Sequence, residues 1–263
     1  MMMNNTLAQL RELKLEGMAT AVEEQLSSSA SGGLSFEERL ALMVDREVHQ
    51  RADKRHAALL KRARLKFPQA CIEDVDGRAG RGFERPALMS LALSRWVEDG
   101  TALLLTGPTG SGKSWLACAL AQYACRRGQS ALYLRVPRLA EELRILHGNG
   151  GFTRWLAAVA RTDVLLLDDW ALAAMDSPTR ADLMEVIDDR AGTRATIIAS
   201  QLPVEHWHAW IGDASIADAI LDRLLSRSHR LALKGKSLRP QRAGAVNGTS
   251  NAARDSDSTD AAH

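Results

Sequence analysis

The residues best suited to chemistry by type and spacing are Gly107-Pro108-Thr109-Gly110-Ser111-Gly112-Lys113-Ser114, a complete G-x-x-x-x-G-K-[ST] pattern. Glycines at these positions let successive backbone N–H groups point at phosphate oxygens with no side chain in the way. A helix starting at the end of the loop adds the positive end of its dipole. Lys113 then supplies a cation for the β- and γ-phosphates, and the Ser114 hydroxyl a ligand for Mg²⁺. The chemistry this predicts is binding of a nucleoside triphosphate.

A second group follows in Val164-Leu165-Leu166-Leu167-Asp168-Asp169, an apolar run that ends in two acids. A buried strand finishing in carboxylates delivers them to the carboxyl edge of a sheet, where ligands bind in open α/β folds. Asp168 is expected to hold Mg²⁺, directly or through water, and Asp169 to polarise the attacking water. Ser200 and Gln201 end the next apolar run and are expected beside Asp168. Arg223 lies in a helical run, Ala217 to Leu225, and is one candidate for an arginine supplied by a neighbouring subunit to the γ-phosphate.

The elements that must position these groups alternate in period. Ala102–Thr106, Ala131–Val136, Val164–Asp168, Thr196–Ser200 and Arg230–Leu233 read as strands, with helical patterns between them. That alternation predicts an α/β fold with a parallel sheet flanked by helices. Ahead of it, residues 6–26 carry apolar side chains at helical spacing. Ser35 with Glu38 forms a capping box that opens a long helix, or a pair, running to about Phe67, where Pro68 stops it. The second half of that stretch is basic: Lys54, Arg55, Lys61, Arg62, Arg64 and Lys66 read either as a solvated helix face or as contacts to the phosphates of a nucleic acid. A further helix is expected over about 86–98. The organisation expected is a helical region over 1–69, a nucleotide-binding domain over 70–242 and a disordered tail over 243–263.

Other features exclude more than they assign. Cys71, Cys118 and Cys125 form no CxxC pair and read as buried small apolar residues. His206 and His208 point two ways along a helix and lack a third ligand, so they are not read as a metal site. Trp207 and Trp210 are read as core. No apolar run approaches the ~18 residues that span a bilayer, and the polar start has no signal-peptide core; the cytoplasm is the expected compartment. The net charge of +2 assigns nothing.

The motifs together resemble the IstB-type ATPases, the transposition helpers encoded beside bacterial transposases. The resemblance is carried by Gly107 to Ser114, by Leu165-Leu166-Leu167-Asp168-Asp169-Trp170 and by Thr196 to His208. It continues in Ile211-Gly212-Asp213, Ala217 to Leu224 and Leu233 to Arg239, and, less specifically, in Leu34 to Leu40 and Phe67-Pro68-Gln69-Ala70. It implies an AAA+ ATPase similar to DnaC-type helicase loaders, with an N-terminal DNA-interacting region and no separate helical lid. It also implies hydrolysis of ATP with Mg²⁺, a homo-oligomer, and double-stranded DNA and a transposase as partners. By resemblance Ser200 senses the γ-phosphate, Arg223 is the arginine finger in trans and Arg239 a weaker second sensor. Three positions depart from the family pattern: Ala171 where Gly is common, Lys236 where an acid is usual, and Asp169 where most AAA+ members have Glu. The alternatives left open are a helicase loader and a nucleotide-gated switch with little turnover.

Overall fold

Runs of Leu, Ile, Val and Ala that are apolar on both faces can be buried only in a sheet covered on both sides. In the computed structural model, which describes residues 2–28, 32–75 and 82–235, three such runs form the centre of a five-stranded sheet. The strands are β1 (Ala102–Thr106), β2 (Ala131–Arg135), β3 (Val164–Trp170), β4 (Ala195–Ser200) and β5 (Ser228–Ala232). They are all parallel, in the order β2-β3-β4-β1-β5. The central three are almost wholly buried, whereas β2 and β5 at the edges are half-exposed. The expected strands are all present. β3 runs two residues beyond Asp168, and the last strand sits two positions earlier at its start than its apolar residues suggested.

Ten α-helices are assigned among the described residues: α1 (Met2–Glu12), α2 (Glu16–Ser27), α3 (Phe36–Ala63), α4 (Arg85–Leu93), α5 (Lys113–Arg126), α6 (Val136–Gly148), α7 (Phe152–Arg161), α8 (Ser177–Arg190), α9 (Trp207–Ile211) and α10 (Ala214–Leu225). One face of the sheet packs on α5, the end of α3 and α4; the other packs on α6 to α10. α5 is buried on nearly all sides because Ala117, Ala119, Ala121 and Ala124 let backbone approach closely from both the sheet and the outer helices. Its Cys118 and Cys125 are buried, and burial pushes both thiols up to about 11; Cys71 is only half-buried. Trp207 is fully buried and Trp210 partly so, each indole N–H donating to a backbone carbonyl.

The N-terminal expectation needs two corrections. The stretch over 6–26 is two helices, because Lys14 takes a left-handed φ of 61°. The Glu47 carboxylate accepts the free N–H groups of Gly17 and Met18 at the start of α2, at 2.7 and 3.2 Å. α3 has the expected capping box at Ser35 but ends at Ala63, where Arg64 turns left-handed (φ 52°), not at Phe67. α4 likewise stops at Leu93 rather than near Glu98. The tail over 243–263, with Arg239 and Lys236, lies outside the described residues. Among the described residues no helix is long and apolar enough to cross a membrane.

Candidate nucleotide site

β1 leads into the 107–112 loop, and α5 begins at Lys113 directly after Gly112. The loop turns by positive φ at Gly107 (143°), Gly110 (82°) and Gly112 (93°), conformations open to glycine. At Gly107 space is also decisive, since a Cβ there would lie 2.2 Å from the carbonyl oxygen of Leu233. Beside the loop is a cavity of about 470 Å³ lined by residues 109–116 with Asp168, Asp169, Gln201, Lys66 and Val75.

Three of the expected residues converge. Ser114 Oγ donates to Asp168 Oδ1 at 2.7 Å, across the gap between α5 and β3. Lys113 Nζ is buried and donates to the carbonyls of Gly107 and Pro108 at 2.7 and 2.8 Å. The strand pairing explains the alignment: Asp168 sits at the carboxyl end of β3, opposite Arg135 at the end of β2. On the other side of β3 the ladder with β4 slips between Leu167 and Trp170, and Asp169 and Ala171 adopt φ of 56° and 64°. The irregularity turns Asp169 toward the cavity instead of back into the core. Ala171 thus occupies a left-handed position, a backbone conformation that favours glycine.

The sequence reading missed the partners of the two acids. Tyr133 on β2 donates its hydroxyl to Asp168 Oδ2 at 2.9 Å. Burial, then the Asp168 charge, pushes that phenol far above its ordinary value, so it stays protonated. Arg135 Nε donates to Asp169 Oδ2 at 2.6 Å, and the bond holds the guanidinium's pKa above its usual value. Both lie on β2, whose alternation (Tyr133, Arg135) was the available signal: it put both on one face, next to β3.

Other expected residues are placed differently. Ser200 is fully buried, and its hydroxyl donates to the carbonyl of Trp170 at 2.9 Å, away from the cavity. Period-two alternation is the reason: Ala199 faces α5, so Ser200 faces the opposite layer. Gln201, just past β4, reaches the loop instead, accepting from Thr109 Oγ1 at 2.7 Å. Arg223 is remote from its own chain's cavity. It pairs with Asp188 on α8, near Gly100 and Thr196 at the amino ends of the strands.

Two of the six cations read as DNA contacts are engaged elsewhere. Lys66 Nζ lies 3.5 Å from Asp168 Oδ2, because Leu65, Ala70 and Ile72 anchor its segment in the core and aim it at the sheet edge. Arg55 donates to the carbonyl of Gly128 at 2.8 Å. Lys54, Lys61, Arg62 and Arg64 are exposed.

These residues fit a magnesium–nucleotide. A glycine cradle, an ammonium and a helix N-terminus face one cavity, with a hydroxyl–carboxylate pair at its edge. Among the described residues no group of three or more His, Cys, Asp and Glu is placed to hold a metal. Mg²⁺ shared by one hydroxyl, one carboxylate and substrate phosphates requires no such group.

Known proteins agree with this geometry. The chain is 56% identical over 203 residues to an insertion-sequence ATP-binding protein of Pseudomonas fluorescens, covering 77% of this chain and 88% of that one. It is 45% identical over 239 residues to another from Sinorhizobium fredii, covering 91% and 97%. Among solved structures, the DnaC helicase loader superposes with a TM-score of 0.54 at 19% identity, over 63% of this chain and 97% of that one. The replication initiator DnaA bound to AMPPCP and single-stranded DNA superposes with a TM-score of 0.55 at 16% identity, over 66% and 52%. These two likenesses show a shared P-loop AAA+ fold. The family described as IstB-like ATP binding protein matches residues 8–245, and with the loop, the acids and the sheet order in place, the chain belongs to that family.

Proposed function

We propose that the chain is an ATP-hydrolysing, DNA-binding AAA+ protein that assists transposition of an insertion sequence by binding target DNA and regulating the transposase. The observation that carries the reading is the meeting of Lys113, Ser114 and Asp168 at one cavity. Lys113 would leave the loop carbonyls for the β- and γ-phosphates, while Ser114 and Asp168 would hold Mg²⁺. Bound there, the metal supplies charge neutralisation for phosphoryl transfer. Asp169 would orient and polarise the attacking water, and Gln201, which meets the loop at Thr109 and lines the cavity, would take the sensing role expected of Ser200. Arg223, facing away from its own site, is available only to a neighbouring copy in a homo-oligomer. The helical region over 1–69 would carry double-stranded DNA on Lys54, Lys61, Arg62 and Arg64, and 70–242 the ATP.

Phosphate release tests this reading. Wild type is expected to turn over ATP, faster with duplex DNA, and Lys113→Ala to lower release about 10²-fold or more. One observation favours a second reading, a nucleotide-gated switch: Asp169 is already held by Arg135. No release by wild type, with nucleotide binding intact, would select the switch.

A further inference from the structure

Beside the nucleotide cavity lies a second cleft, of about 460 Å³, lined by Arg64, Lys66, Arg135 and Arg138, with Tyr133, and with Glu142 as the one acid in its lining. Its four cations come from separate parts of the chain: the turn after α3, the core-anchored segment that follows, the end of β2 and the first turn of α6. Arg64 and Arg138 are exposed and have no ion pair or hydrogen bond among the described residues. Lys66 and Arg135 line the same cleft but reach across to Asp168 and Asp169. Arg135 does so through Nε. Its two terminal nitrogens have no hydrogen-bond partner among the described residues.

We propose that this cleft binds the phosphate backbone of DNA, with Arg64 and Arg138 gripping the strand and Arg135 joining it to Asp169. The proposal rests on the DNA-binding reading above and extends the DNA surface from Arg64 and Lys66 onto Arg135 and Arg138 of the ATP-binding part. Charge complementarity argues for the occupant. Two unpaired guanidinium forks suit phosphate oxygens bidentately, and the exposed Lys61 and Arg62 in the last turn of α3 extend the positive surface away from the cleft. A chain of phosphates uses such an extended run, whereas one isolated phosphate does not. Through Arg135 the strand and the water-orienting acid share one cation. A phosphate on its free nitrogens draws the guanidinium toward the cleft and loosens its hold on Asp169. Occupancy of the cleft is thereby transmitted to the nucleotide site.

The test is binding of a fluorescent duplex by the full-length protein across a salt series, without nucleotide, for wild type and Arg64→Ala/Arg138→Ala. Both side chains are exposed, and a fluorescent ATP analogue checks that the variant keeps its nucleotide cavity. The double variant is expected to bind at least tenfold more weakly. Its log–log salt slope should be shallower by about 1.8, two phosphate contacts at ~0.9 each. Unchanged affinity and slope, with wild type binding, would overturn the cleft and Arg64 as a contact, and leave the reading of Lys54, Lys61 and Arg62 standing. No DNA binding by wild type would overturn the functional reading and the cleft with it. Tighter binding of polyglutamate than of duplex at matched salt, lost in the double variant, would overturn the choice of DNA in favour of an acidic protein.

Discussion

Asp168 illustrates how little of a site one side chain's own type decides. Its carboxylate receives Ser114, Tyr133 and Lys66, three donors from α5, β2 and the segment after α3. Tyr133→Phe removes one of them from a buried charge and is expected to cost about 1–3 kcal/mol in denaturant unfolding. Gly107→Ala places a Cβ against the Leu233 carbonyl; ATP-analogue affinity should fall more than tenfold, since either the loop or the strand end must move. Ala171 offers the opposite test. Its left-handed backbone (φ 64°) costs about 1–2 kcal/mol for a side-chain-bearing residue, and glycine gives back about 0.4–1 kcal/mol in unfolded-chain entropy. Ala171→Gly should therefore stabilise the protein by roughly 1 kcal/mol by the difference between these two effects, read as a higher denaturation midpoint.

At the scale of elements, α3 connects the helical region to the sheet. Its start is local: Ser35 Oγ accepts from the Glu38 N–H, and the Glu38 carboxylate accepts from the Ser35 N–H. Ser35→Ala should cost about 1 kcal/mol. Its middle is tertiary, because Glu47 is held by Arg51 and by the first amides of α2. Arg51, then those amides, keep the Glu47 carboxyl below the ordinary carboxylate range. The folded value lies below the unfolded one, so the stabilisation is present above the ordinary carboxylate range and is lost as pH falls through the lowered folded value. The hydrogen-exchange protection factors of Gly17 and Met18 should fall over that acid interval in wild type, and already be low at neutral pH in Glu47→Ala.

The sheet order sets what the whole molecule does with its two ends. The glycine loop and both acids lie at the carboxyl ends of β1 and β3, while Arg223 sits with residues at the amino ends of β1 and β4. One chain therefore does not bring Arg223 to its own nucleotide. If a neighbouring copy receives it, Arg223→Ala and Lys113→Ala are each inactive alone. Mixing them should restore part of the phosphate release, because some interfaces pair an intact loop with an intact arginine. Mixtures as inactive as either variant would exclude Arg223 from that role.

The sequence alone determined the groups whose placement is local. The glycine loop with the lysine and hydroxyl that open α5, and the strand ending in acids, each lie within one short stretch of chain, so spacing and period suffice to read them. The capping box was legible for the same reason. Tertiary structure decided what spacing cannot encode: which strand lies next to β3, and hence that Tyr133 and Arg135 hold the acids. It decided that Ser200 faces the far layer while Gln201 meets the loop, and that Lys66, read as a surface cation, enters the nucleotide site. A charge run shows that cations are present; only packing across the sheet edge selects the carboxylates they meet.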